Sequence, residues 1–352
     1  MKKLVTPTSK AQKTNLITYA FVIAAFVVLQ ILITTGNIRS LYKGLLVPIC
    51  AYVVMAISLN LTVGILGELS LGHAGFMSVG AFTGVSAAMM LQNAIPSTGL
   101  RLVIGMLIGT VFAAIFGLIV GIPVLRLKGD YLAIVTLAFG EIIKSLINNL
   151  YLGIDANGIH LSMITDNTNL LPEGKMIIQG PMGFSGAKKL STFTAGFILI
   201  MITLIVVFHI VNSRSGRAIM AIRDNRIAAE SVGINVTKYK LMVFTISAAL
   251  AGAAGALFAM NYSTLVANKF DFNTSILVLV FVVLGGLGNM LGSIIAAAAL
   301  TILPEALRQF SDYRMLVYAL VLILVMLATN SPVFKVFFDK IKSKFRSGKE
   351  AE

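Results

Sequence analysis

The stretch Phe193–Val211, FTAGFILIMITLIVVFHIV, runs for 19 residues without Asp, Glu, Lys or Arg. A helix crossing the hydrocarbon core of a bilayer takes about 20 predominantly apolar residues. The stretch therefore reads as a membrane span, and it decides the fold class because similar runs recur along the whole chain. The 352 residues are 57% hydrophobic and 12% charged, with a mean hydropathy of +0.92, whereas a soluble domain carries about 25% charged residues. Composition excludes a soluble globule and leaves room for about ten spans joined by short loops.

Working outward from 193–211, apolar runs bounded by charge, Gly or Pro lie at 16–35, 45–66, 72–91, 100–125, 131–149, 239–260, 274–290, 291–303 and 315–330. The expected fold is an all-α membrane protein, a polytopic bundle of about ten transmembrane spans. Some spans look short and broken by glycine: 72–91 contains Gly72, Gly75, Gly80 and Gly84, and 274–303 contains Gly285, Gly286, Gly288 and Gly292. Such glycines either line a substrate path, where non-helical backbone survives against protein or water, or let helices pack closely. The expected organisation is an N-terminal segment over 1–15, a membrane domain over 16–330 and a basic tail over 331–352. The first run, with no small-x-small cleavage site after it, reads as an uncleaved signal anchor.

Twenty-eight Lys and Arg against 14 Asp and Glu give a net charge of +14. No basic run is interleaved with aromatics as in a nucleic-acid groove, so the excess is read as the positive-inside bias of a membrane protein. With the N-terminus inside, 18 basic residues fall inside and nine outside, and Lys144 lies within a span. That bias predicts both termini in the cytoplasm. It puts the segment 150–192, with its turn pairs Asn157-Gly158 and Gly180-Pro181, outside, and the segment 212–238 inside as helix.

Catalytic chemistry is missing. Cys50 is the single cysteine, and His73, His160 and His209 are far apart in sequence, so no cysteine cluster or histidine spacing suits a metal. Gly174-Lys175 and Gly348-Lys349 lack the upstream glycine and following hydroxyl of a phosphate loop. No cofactor is expected, and ATP, if used, is bound by another chain.

Three polar groups stand out in apolar surroundings. Glu141 lies about 15 Å along the span that starts near Asp130, close to the bilayer midplane. An ionisable group there is either functional or paired with Lys144 one turn on. Glu68 and His73 flank the turn Gly67–Gly72 and could line a gate or carry a proton; alternatively Glu68 sits at the interface and the His73 ring rests on a carbonyl. Asp130, after Arg126 and Lys128, reads as a helix N-cap.

The most specific segment runs from Ser213 to Gly233. Asp224 or Asn225 can cap a short helix over Arg226–Val232, and Gly233 suits its left-handed end. Small Ala228 and Ala229 would let a partner approach, and Arg217, Arg223, Arg226 and Glu230 supply directional charge. So short a helix is marginal alone, so a partner surface, or anionic lipid, should cover it.

At this point the chain resembles the LivM-type permease subunits of branched-chain amino acid ABC importers. The resemblance runs in order through Leu59-Asn60-Leu61, Gly67-Glu68-Leu69-Ser70-Leu71-Gly72-His73-Ala74-Gly75-Phe76, Arg126–Leu137, Phe139–Ile143, Gly216–Asn235, Ser247–Gly252 and Val283–Gly288. It implies an ABC importer permease fold in a bacterial or archaeal cytoplasmic membrane. It also implies a second, LivH-type permease, two ATPase subunits and an external substrate-binding protein as partners. The segment 217–233 would be the coupling helix gripped by the ATPase through Arg217, Arg223, Asp224, Asn225, Ala228, Ala229, Glu230 and Gly233. Ile227 stands where many importers have a Glu, and Glu230 is the substitute. A mostly apolar path would be lined by Glu68, Ser70, His73, Tyr131 and Glu141. Urea or short-chain amide permeases share the same motif order; a proton-coupled secondary transporter and an intramembrane enzyme are the rival classes.

Overall fold

A computed structural model describes residues 10–36, 40–92, 94–125, 130–155, 158–164, 174–308, 313, 316–317 and 319–324. Residues 1–9, Arg126, Lys128 and the tail 331–352 lie outside the described residues. The helices are α1 (Lys10–Thr34), α2 (Ser40–Asn60), α3 (His73–Met90), α4 (Thr98–Val124), α5 (Asp130–Asn148), α6 (Phe193–Asn212), α7 (Arg214–Asp224), α8 (Arg226–Ser231), α9 (Val236–Ala259), α10 (Phe272–Gly285) and α11 (Met290–Ala306). A widened, π-helical turn, Leu61–Leu66, prolongs α2. Among the described residues, six helices are long and apolar enough to cross a membrane: those over 15–34, 42–66, 98–124, 131–148, 193–212 and 236–259. The helix over 72–91 has the length but is diluted by Gly, Ser, Thr and His, while α10 and α11 are shorter. Half of the run at 315–330, residues 315, 318 and 325–330, lies outside the described residues.

Chain contacts divide the protein into Met1–Ala298 and Ala299–Glu352, with α11 running across the division. In the first unit, α2, α3 and α9 are enclosed, and Ala51, Val54, Met55, Ile57, Leu59, Met77, Ala81, Ala254 and Leu257 have no exposed surface. Helices α1, α4 and α6 instead present large apolar side chains outward, such as Leu107, Val111, Ile119, Ile198 and Ile205, as lipid-facing helices should. In the second unit, Arg308 pairs with Glu305 at 3.1 Å, and helical residues Leu316, Leu320, Ile323 and Leu324 are exposed.

Gly72 precedes α3, and Gly75, Gly80 and Gly84 do not break it. α3 is continuous, and its glycines are points of close approach: a Cβ on Gly80 would lie 2.1 Å from the Gly252 carbonyl, and one on Gly84 would lie 2.7 Å from the Ala256 Cβ. This is the small-residue packing used between membrane helices, where apolar burial alone drives little association. The chain does break between α10 and α11, where Gly286 and Gly288 adopt φ of +92° and +81°.

The bundle is not all-α. β1 (Leu150–Asp155), β2 (Gly158–Met163) and β3 (Lys175–Gln179) form an antiparallel sheet in the order β2-β1-β3. Leu150 faces Met163 and Asp155 faces Gly158 in the hairpin register. Bridges from Phe184 to Ile178 and Leu265, and the bond from Leu190 N–H to the Met260 carbonyl at 3.0 Å, tie the segment to the α9–α10 connection. An apolar cavity of ≈ 450 Å³ lies among α3, α4, α5 and the sheet.

Candidate coupling segment and path

Three side-chain caps set the course of the chain between α6 and α9. The Ser213 hydroxyl accepts from Gly216 N–H at 3.2 Å, the Asn225 Oδ1 from Ala228 N–H at 3.1 Å, and the Asn235 Oδ1 from Lys238 N–H at 3.0 Å. Each satisfies an orphan donor of a helix start, so α7, α8 and α9 begin one after another with sharp changes of direction. Gly233, at φ +84°, ends α8, and Ile234 N–H bonds back to the Ala229 carbonyl at 3.0 Å. This is the left-handed closure that glycine allows. The helix runs Arg226–Ser231, one residue short of the expectation.

The segment has its own small core. Ile222, Ala229 and Val236 are buried together, with Ile234 and Tyr239 packed on them. Ala229 is therefore 3% exposed and cannot offer the close approach expected of it. The open face carries Ile227, 80% exposed, and Val232, 74% exposed, with Ala228 and Ser231 between them. Arg226 pairs with Glu230 at 3.0 Å across one turn. Arg217 is exposed. Arg223 turns the other way: it holds Asp224 Oδ1 at 3.0 Å, and its Nη1 donates to the Gly64 carbonyl at 3.3 Å.

The expected path residues separate into two groups. Glu68 accepts a hydrogen bond from Lys240 of α9, and both side chains are largely enclosed. His73 is 2% exposed, and its Nε2 lies 2.8 Å from the Ser58 hydroxyl rather than on a carbonyl. Ser70 is 1% exposed, and its hydroxyl has no partner among the described residues. Tyr131 and Glu141, by contrast, lie on the open side of α5: Tyr131 is 71% exposed, and the Glu141 side chain, paired with Lys144, is 39% exposed. Ile134, Ala138, Ser145 and Asn149 share that face at helical spacing.

Two contributors escape a sequence reading. Asn60 is wholly buried; its Oδ1 accepts from Gly288 N–H at 2.8 Å and its Nδ2 donates to Ser293 Oγ at 2.9 Å. Lys240, counted among the inside charges although it stands at the start of the apolar run 239–260, is 3% exposed inside α9. The lone amide in Leu59-Asn60-Leu61 is a signal for the first, and the charge inside the run 239–260 is one for the second. At the far end of α10, Asp271 caps the helix, accepting from Thr274 N–H at 2.9 Å and from Asn273 at 2.9 Å. Burial raises its carboxyl, but these bonds, with Lys144 nearby, outweigh burial and hold it below the ordinary carboxylate value.

Residues 41–326 match the family model described as the branched-chain amino acid transport system permease component. The chain is 37% identical to the high-affinity branched-chain amino acid transport permease LivM of Salmonella typhimurium, over 78% of this chain and 66% of that protein. It is 36% identical to the LivM protein of Escherichia coli K12 over the same shares. Against the LivH permease of Salmonella typhimurium it is 24% identical, over 78% of this chain and 88% of that protein. The matched region thus spans just under two thirds of the length of the two LivM relatives. No solved structure matches significantly. The matched family model covers most of the chain, including the α7–α8 segment and the α5 face, and the protein belongs to the branched-chain amino acid transport permease family.

Proposed function

We propose that this chain is the LivM-type membrane subunit of an ATP-driven importer that passes branched-chain amino acids across the cytoplasmic membrane. The observation that carries the reading is the open face of α8. A two-turn helix, fixed at both ends by a cap and a glycine and exposing Ile227, Ala228 and Val232, is built for a partner and is costly to leave in water. The chain has no phosphate loop, so the partner on α8 supplies the ATP chemistry. Two ATPase subunits, a LivH-type second permease and an external binding protein complete the assembly. Similarity to both LivM and LivH relatives supports pairing of two permeases.

The membrane domain takes in 16–330, with 150–192 outside, 212–238 inside and both termini in the cytoplasm. The path runs along the open side of α5, past Tyr131 and Glu141. A Glu141–Lys144 pair on that face suits the second permease and a hydrated path better than lipid, where charge is costly. Apolar neighbours such as Ile134 and Ile142 suit the side chains of leucine, isoleucine and valine, and tight binding is left to the external protein. Transport needs no catalytic group here, and none is assigned.

The test is copurification in mild detergent. The ATPase is expected to stay with the wild-type chain and to be lost with Ile227→Asp. Retention by Ile227→Asp at wild-type yield would count against docking on α8.

A further inference from the structure

We propose that Asn60 is a positioning residue that carries movement of the α7–α8 segment to the turn between α10 and α11; the proposal rests on the docking reading above. Asn60 sits in an apolar helix with no exposed surface, where an amide is costly unless its groups are bonded. Both ends of the amide are used on the same neighbour, Oδ1 by Gly288 N–H and Nδ2 by Ser293 Oγ. Directly after Asn60, the helix widens into the π-helical Leu61–Leu66, a form concentrated at functional sites.

Gly64, in that widened turn, has no room for a side chain. A Cβ there would lie 1.9 Å from Asn60 Oδ1 and 2.3 Å from Gly288 N. The same turn is also held by α7. Arg223 donates to the Gly64 carbonyl at 3.3 Å, and its stem covers Gly67, with Cγ 2.7 Å from where a Cβ would stand. Three segments far apart in sequence therefore meet on one helical turn without a gap. Through Arg223 a shift of α7 reaches the turn, and through Asn60 it reaches Gly288. Gly286 and Gly288, both at positive φ, let the α10–α11 turn follow as a hinge.

The test uses the whole complex, with ATPases and binding protein, in proteoliposomes, and reads labelled leucine taken up per ATP hydrolysed. Asn60→Ala should keep the ATPase bound and ATP hydrolysis running while uptake per ATP falls about tenfold, the size of a typical coupling between sites, and Arg223→Gln should lower uptake per ATP by a similar factor in whatever complex it forms. The double variant should fall no further, because both changes break one line. A merely structural role would reduce the amount of complex and leave that ratio unmoved. Normal uptake per ATP in Asn60→Ala, or losses that multiply in the double variant, would overturn the proposal. Should Asn60→Ala not assemble, Ser293→Ala, which removes one amide partner at little change in volume, decides: a reduced ratio supports the proposal and a normal one overturns it. Failure of the wild-type chain to hold an ATPase would instead remove the docking reading itself, before any variant is compared.

Discussion

Lys240, at the start of α9, donates to Glu68 in the turn after the π-helical segment, and their side chains are 4% and 17% exposed. The pair ties the turn Gly67–Gly72 to a helix 172 residues further along the chain. It also occupies the carboxylate that a proton-coupled mechanism would need, just as Ser58 occupies His73.

Removing one partner of such a pair leaves an uncompensated buried charge, at a cost of about 3–5 kcal/mol. Lys240→Met alone should therefore lower the unfolding free energy by about that amount. The double variant Glu68→Gln/Lys240→Met should recover most of the loss. Denaturant unfolding in detergent measures both, and undiminished stability in Lys240→Met would contradict the buried pairing.

Ala228 and Ala229 are neighbours with opposite environments. Ala229→Arg forces a charge into the cluster of Ile222 and Val236 and should destabilise the segment by about 1–3 kcal/mol or more. Ala228→Arg should leave stability unchanged and weaken ATPase retention about tenfold or more, as blocking the centre of a small interface does. Thermal unfolding and copurification separate the two outcomes; equal effects of both variants on both readouts would contradict the assigned faces.

Asp271 gives a pH dependence with a definite sign. Its folded carboxyl is held below the ordinary value, so its contribution is present above the unfolded pKa of about 4 and lost as pH falls through the lower folded value. Hydrogen exchange at Thr274 and Ser275 should rise below about pH 4 beyond its intrinsic pH trend. Asp271→Asn, which still caps, should remove that excess, while Asp271→Ala should cost about 1 kcal/mol at neutral pH. An unchanged acid response in Asp271→Asn would point to another group.

Local chemistry was legible in the sequence. Asn225 and Gly233 bracket α8 because a cap and a left-handed glycine act within a few residues. Long-range partners were not. Ala229 turns inward because Ile222 and Val236, on the flanking helices, close over it, and nothing at position 229 announces that. The α3 glycines admit two readings until Gly252 and Ala256 are seen against them. The sheet was missed although Ile159, Leu161 and Met163 alternate with polar residues, a period-two signal too short to stand out beside the apolar spans. Ten spans were expected from hydropathy alone; α3, buried within the bundle, needs less hydropathy than a helix facing lipid.

The central claim is that the stroke comes from a separate ATPase gripping α8. It is tested most directly by labelled leucine uptake in proteoliposomes holding this chain and its partner permease, with the binding protein supplied. Uptake should appear only when the ATPase is bound and ATP is on its side, and should persist when an ionophore collapses the proton gradient. Accumulation without ATPase, driven by the gradient alone, would contradict the account.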